Sequence, residues 1–185
     1  MKAVARYCSA PKLIHWKAGR SILGYAVRTS SFGIYFQKGT LAGISLISFA
    51  DADYASGSTD RRSVSGGVVM CAGGTVWWHS KTQKSVTLST TQAEYVAMSE
   101  MGKEILFLRQ VWCFMLPKAR MPCIAMCEDN EGAIQIAKHP ISNSNSKDID
   151  VRHHFLRELV ERKETETIHV ASQYQHADVL TKALP

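Results

Sequence analysis

At 185 residues, with 45% hydrophobic and 21% charged positions, the chain is long enough for one domain with a sizeable core plus an appendage, and its composition is that of an ordinary soluble globular protein. No apolar run is long enough to span a bilayer and the first residues lack a signal-peptide pattern, which argues against a helical membrane protein and sets the expectation of an intracellular location. The net charge of +6 is lopsided, because residues 1–50 hold seven Lys or Arg and no Asp or Glu.

Such a basic lead-in suits a polyanionic partner such as nucleic acid, whose phosphates it would neutralise with release of counterions; it is equally what one solvated basic helix looks like. The five cysteines, Cys8, Cys71, Cys113, Cys123 and Cys127, are odd in number and not closely paired, as expected of reduced thiols. Cys123 and Cys127 stand in an apolar run without a nearby His, so core packing is expected there rather than zinc.

In chain order, residues 16–29 read as a helix with an imperfect apolar face (Trp16, Ile22, Leu23, Tyr25, Ala26), and residues 32–36 (F-G-I-Y-F) as a strand. Together they form an appendage, joined through a glycine-bounded hinge at 39–43. Residues 45–53 (S-L-I-S-F-A-D-A-D) form an apolar strand ending in two acids. A hairpin is expected from residue 65 onward, broken at Gly73 and Gly74, with a third short strand at 85–88; with the acid-tipped strand these make an antiparallel meander. Thr90 or Thr91 opens the longest helix, which reaches about Met115 before Pro117 stops it and carries an inward stripe of Met101, Ile105, Leu108, Trp112 and Met115. A buried strand at 123–127 (C-I-A-M-C) runs into Glu128, Asp129 and Asn130, and a helix follows at 131–138. After a polar loop at 140–147 come a helix at 149–162, with Val151, Phe155, Leu156 and Leu159 inward, a strand at 167–172 and a short helix at 176–184. His153 and His154 lack acidic or thiol ligands at metal spacing and read as surface or phosphate-contacting groups.

Four acids stand out in this order. Strand alternation places Asp51 and Asp53 on the face of Ile47 and Phe49, so an apolar face turns acidic at its tip; this is half of a cation site, or an acidic turn running into solvent. Glu94 falls near whole helical turns before Met101 and Ile105 and so lies on the sheet-facing side, but Thr91 to Glu94 also spells a capping box. Asp129 ends a strand and could equally cap the next helix, and Asp178 taken alone is an ordinary acid at a helix start. Three antiparallel strands followed by alternating helices and strands predict an α/β fold, a mixed five-stranded sheet flanked by helices, on which these acids can converge. Four hard carboxylates without soft ligands suit two Mg²⁺ or Mn²⁺ ions of the kind that phosphoryl-transfer enzymes use.

The stretches F-A-D-A-D-Y-A, D-R-R-S-V-S-G, T-L-S-T-T-Q-A-E-Y-V-A, C-E-D-N-E-G-A-I, D-I-D-V-R-H-H-F-L-R-E and H-A-D-V-L-T-K-A-L-P, in this order, resemble the ribonuclease H domain of copia-type (Pseudoviridae) retrotransposon polyproteins. The lead-in H-W-K-A-G-R-S-I-L-G-Y-A-V-R-T-S-S-F-G-I-Y-F resembles the segment that joins reverse transcriptase to that domain. The resemblance implies a ribonuclease H-like fold, with residues 1–40 as the connecting segment and 41–185 as the domain. It implies a catalytic, metal-binding tetrad of Asp51, Glu94, Asp129 and Asp178, with Asp53 as the runner-up to Asp51, and two Mg²⁺ or Mn²⁺ ions as cofactors. The implied activity is endonucleolytic hydrolysis of the RNA strand of an RNA–DNA hybrid during reverse transcription, with Ser65, Ser89, Thr90, Asn130 and Lys182 as contacts to the nucleic acid. Implied partners are the hybrid and the reverse transcriptase and integrase portions of the same polyprotein, with no membrane, in a cytoplasmic virus-like particle or the nucleus.

Gln92 and Asp148 depart from the family pattern, which usually has Glu and His there. Cellular ribonucleases H carry a mobile His some distance before the last Asp, whereas His176 is only two residues before Asp178. A competing reading is a catalytically idle or repurposed domain that binds hybrids or a protein. An integrase or transposase of related fold fits poorly, since its essential Glu follows both Asp residues and Glu94 lies between Asp51 and Asp129.

Overall fold

A computed structural model describes residues 2–5, 7–36, 45–57, 60–118, 123–139 and 147–182. The chain divides into two compact units, Met1–Tyr35 and Phe36–Pro185. The first contains α1 (Lys2–Ala5) and α2 (Leu13–Arg28). In α2 no residue is buried, and Leu13, Ile14, Trp16 and Leu23 are exposed. The chain after it, at 32–36, is not a strand: its side chains are exposed and no strand among the described residues pairs with it.

The second unit holds β1 (Leu46–Asp53), β2 (Val64–Cys71), β3 (Gly74–Thr82), α3 (Thr90–Met115), β4 (Ile124–Glu128), α4 (Glu131–Lys138), α5 (Lys147–Glu161), β5 (Thr165–His169), a 3-10 turn (Ser172–Tyr174) and α6 (Asp178–Thr181). One five-stranded sheet runs in the order β3-β2-β1-β4-β5. The first three strands are an antiparallel meander, and β1/β4 and β4/β5 pair in parallel. The hairpin turns on Ala72 and Gly73, both at positive φ (48° and 78°), the two-residue turn that matches strand twist; Gly74 is already paired in β3.

The central strand β1 is apolar on both faces because both are covered. On one side Ala50, Val69, Ile124 and Met126 pack with Ala97, Met98, Met101 and Ile105 of α3 and Leu156 of α5. On the other, Phe49 and Cys127 pack with Ala177 beside α6. Burial pushes the Cys127 thiol up to about 11, as suits a packed thiol, whereas Cys123 is exposed and outside the core.

The expected strand at 85–88 does not form. Gln83 turns inward, its Nε2 donating to Ser65 Oγ (3.0 Å) and to the Ala93 carbonyl (2.9 Å), while the Ser63 and Thr87 hydroxyls bond at 3.0 Å. This buried polar network folds residues 83–89 back onto the start of β2 and sets the start of α3. The apolar stripe of α3 holds through Met101 and Ile105, fully buried, but Met115 is exposed at the helix end, as is Val151 on α5. Of the polar loop expected at 140–147, residues 140–146 lie outside the described residues, and Lys147 already begins α5.

Gly66 of β2 pairs with Asp51 across the ladder. A Cβ there would lie 2.6 Å from Thr181 Cγ2 and 2.9 Å from the Ala177 carbonyl oxygen. Only glycine lets α6 lie this close to the sheet. Gly66→Ala is expected to destabilise the chain by about 1–3 kcal/mol by displacing α6. Chemical denaturation of the variant measures this, and an unchanged midpoint would mean that α6 accommodates the methyl group freely.

Candidate active site

Parallel pairing of β1 and β4 with Phe49 opposite Cys127 carries both strands to the same edge of the sheet, where Asp51 and Asp129 follow two residues later. Helix α3 packs on β1 and brings Glu94 to that edge from the other side, where the Ala52 backbone hydrogen-bonds to its carboxylate. One oxygen from each of Asp51, Glu94 and Asp129 lies within 4.8 Å of the others, the only such group of three or more potential ligands among the described residues. Asp51 is 1% exposed, Glu94 7%, and Glu94 Oε2 has no hydrogen-bond partner. Hard oxygen donors so close, one of them buried and orphaned, fit a divalent cation such as Mg²⁺ or Mn²⁺.

The helix caps leave these acids free. Ser89, not Thr91, caps α3, its hydroxyl accepting from Gln92 N at 3.1 Å, while the Gln92 side chain takes the Leu88 amide at 2.9 Å. Asn130, not Asp129, caps α4 by accepting from Ala133 N at 3.0 Å. Asp129 instead receives the Ser172 hydroxyl on Oδ2 at 2.6 Å, and its carbonyl oxygen accepts from His169 Nε2 at 3.2 Å.

Asp178 begins α6 and is not in the three-oxygen group; a lysine links it to that group. The Lys182 ammonium donates to Asp178 Oδ1 at 2.5 Å and lies 3.7 Å from Asp51 Oδ1. The Thr181 hydroxyl donates to Asp51 Oδ2. Asp53, half-buried, stays outside the group.

The remaining candidates separate. Ser89 and Thr90 are exposed at the start of α3 and Asn130 is half-buried at the start of α4. A Cβ on Gly132 would lie 3.1 Å from Thr91 Cγ2, so these two helix starts are neighbours. Ser65 is fully buried, its hydroxyl accepting from Gln83 Nε2, and so presents no side chain at the surface. His154 is exposed with Arg157 Nη2 2.9 Å from its Nδ1, and the His153 side chain is outside the described residues. His176 sets its ring edge-on to Phe49 at 4.6 Å.

Sequence reasoning missed Glu128, His169, Ser172 and Thr181. Thr181 and Lys182 follow Asp178 at i+3 and i+4, a spacing that puts all three on one helical face and was legible. Glu128 is fully buried, its Oε1 accepting from Asn130 N at 3.1 Å and its Oε2 without a partner. Nothing in the apolar-to-acidic run distinguished its inward-facing position from that of Asp129.

Burial dominates the electrostatics. It raises Asp51 to about 6 against the hydrogen bond from Thr181 and the charge of Lys182. It raises Glu94 to about 10, with the charges of Glu128, Asp51 and Asp129 adding to the shift, and holds Glu128 well above the usual range. Without a cation, Glu94 carries a proton at neutral pH.

No protein-family model matches the chain. It is 35% identical over 98% of its length to the retrovirus-related Pol polyprotein from transposon TNT 1-94 of Nicotiana tabacum, and 32% identical over 98% to that from transposon RE2 of Arabidopsis thaliana. Over nearly its whole length the chain is similar to a segment of the retrovirus-related Pol polyproteins of transposons. It spans only 13% and 12% of those two proteins. It is also 37% identical over 57% of its length to a Plasmopara viticola protein named secreted RxLR effector protein 161, of which it covers 72%. Among solved structures, LC11-RNase H1, isolated from compost by metagenomics, aligns with a TM-score of 0.55 at 16% identity, over 74% of this chain and 91% of its own. The same protein in complex with an RNA/DNA hybrid aligns at 0.52 with 15% identity, over 74% and 93%. The fold of this segment is therefore that of ribonuclease H.

The raised acids fix how stability responds to pH. Unfolded, Asp51 and Glu94 titrate near their ordinary values of 3.8 and 4.5; folded, they hold their protons to about 6 and 10. Between those limits the folded chain binds more protons, so stability falls as pH rises, from about pH 4 through 6 for Asp51 and onward toward 10 for Glu94. Glu94→Gln removes the larger contribution and is expected to raise the melting temperature of the metal-free chain at pH 8 by about 2–4 °C, the shift of about 1 kcal/mol at this length, with no gain below pH 4. Thermal melts in chelator across pH test this; a variant that melts lower than the parent at pH 8 would contradict the assignment.

Proposed function

We propose that the second unit is a metal-dependent ribonuclease H that hydrolyses the RNA strand of RNA–DNA hybrids, acting within the reverse transcription of a transposon. The observation that carries this reading is the convergence of Asp51, Glu94 and Asp129 oxygens within 4.8 Å at the sheet edge of a ribonuclease H fold. Asp51, Glu94, Asp129 and Asp178 are the residues that would hold the metal. Two divalent ions held there would supply a nucleophilic hydroxide at neutral pH and would stabilise the charge on the leaving 3′ oxygen.

The chain's own residues prepare the site for this. Glu94 would have to give up its proton to a bound cation, which would link metal affinity to pH. Ser172 orients the Asp129 carboxylate and Thr181 that of Asp51, so neither needs to reorganise. The neighbouring starts of α3 and α4, with Ser89, Thr90 and Asn130, face their helix amides toward an anion and suit backbone phosphates of the hybrid. Residues 1–40 are the connecting segment from reverse transcriptase and 41–185 the nuclease domain. The reverse transcriptase and integrase portions of the polyprotein are its partners, in a cytoplasmic particle or the nucleus.

The identity to a protein named as a secreted effector favours a second reading, a domain that binds hybrid or protein without turnover. A labelled RNA strand paired with DNA, incubated with Mg²⁺ or Mn²⁺, separates the two. Cleavage confined to the hybrid, absent on single-stranded RNA and reduced at least about 100-fold by Asp129→Asn, is the expected result. Hybrid binding without cleavage in either metal would select the second reading.

A further inference from the structure

The two sides of the carboxylate site differ in what faces them. Asp51, Glu94 and Asp129 share a space where Glu94 Oε2 is without a partner. On the side of α6, by contrast, a side chain of the protein already supplies a positive charge: Lys182 Nζ is 2.5 Å from Asp178 Oδ1 and 3.7 Å from Asp51 Oδ1. Two carboxylates on either side of one cation is the arrangement that a bridging metal ion also makes, and the lysine stands in for such an ion. The side chain of Lys182 is 50% exposed, so its ammonium can leave the acids for solvent without disturbing the core. Its backbone position is fixed by the closing turn of α6, where the Lys182 amide donates to the Asp178 carbonyl at 2.9 Å.

We propose that Lys182 is a tethered counter-cation, holding Asp51 and Asp178 together in the metal-free chain and competing with the second divalent ion for that place. This rests on the ribonuclease H reading given above. Binding is then sequential. The first ion enters beside Glu94 without displacing a cation, and the second enters only as the lysine departs. Lys182 is a positioning residue here, acting through Asp51 and Asp178. The arrangement keeps like charges neutralised before metal arrives and makes occupancy of the second position depend on divalent-ion concentration.

Titration of the full chain with Mn²⁺ at pH 8, following free Mn²⁺ by electron paramagnetic resonance, tests this in the absence of substrate. The parent is expected to bind one ion tightly and a second more weakly. Lys182→Met should tighten the second about tenfold, the scale of a partly exposed charge acting on another, and leave the first unchanged, while Lys182→Arg follows the parent. Lys182→Gln, a second uncharged side chain of similar reach, serves if the Met variant does not fold. Two ions bound with the second unchanged or weakened in the uncharged variants would overturn the competition and leave the nuclease reading standing. Absence of Mn²⁺ binding to parent and variants alike would overturn both.

Discussion

Carboxylates whose oxygens lie within 4.8 Å of one another, two of the three buried, cannot all be ionised unless a cation is beside them. Much of the second unit is arranged around that constraint. Glu94, 7% exposed, keeps its proton because burial and the negative field of its neighbours both favour the neutral form; Asp51, 1% exposed, is eased by a hydroxyl and an ammonium. A core of this size would be more stable with apolar or amide side chains at these places. That the acids are there at all is the physical argument for a ligand that rewards their charge.

The fold brings them together through contacts remote from the chemistry. Parallel pairing of β1 with β4 sends Asp51 and Asp129 to one edge. The Gln83 network and the Ser89 cap begin α3 where Glu94 can reach that edge, and the absence of a side chain at Gly66 lets α6 carry Asp178, Thr181 and Lys182 against it. Sheet, long helix and terminal helix thus each contribute one part of the charge arrangement, and a shift in any of them changes the electrostatics of all.

The architecture was legible in the sequence wherever periodicity and punctuation agreed. The acid-tipped strand, the hairpin, the helix at 90–115 and the pattern of alternating strands and helices after it gave the mixed five-stranded sheet. What sequence could not show was where polar side chains turn inward. Residues 85–88 look like a strand until Gln83 and Thr87 are seen buried in a hydrogen-bond network. The capping roles that the sequence left open to Glu94 and Asp129 fall to their neighbours, since Ser89 and Asn130 take the caps. Ser172 and His169 reach Asp129 from 43 and 40 positions away in the chain. Such long-range partners leave no local signal. The apolar face of α2 belongs to a unit that buries none of it, and its sequence alone reads like that of any amphipathic helix.

The most direct test of the central claim is the position of the metal itself. Crystals of the full chain grown with Mn²⁺ and measured for anomalous scattering should show a peak coordinated by oxygens of Asp51, Glu94 and Asp129 at the edge of the sheet. Ordered density for the chain with no anomalous peak among these three carboxylates, at Mn²⁺ concentrations that fill sites elsewhere, would contradict the account.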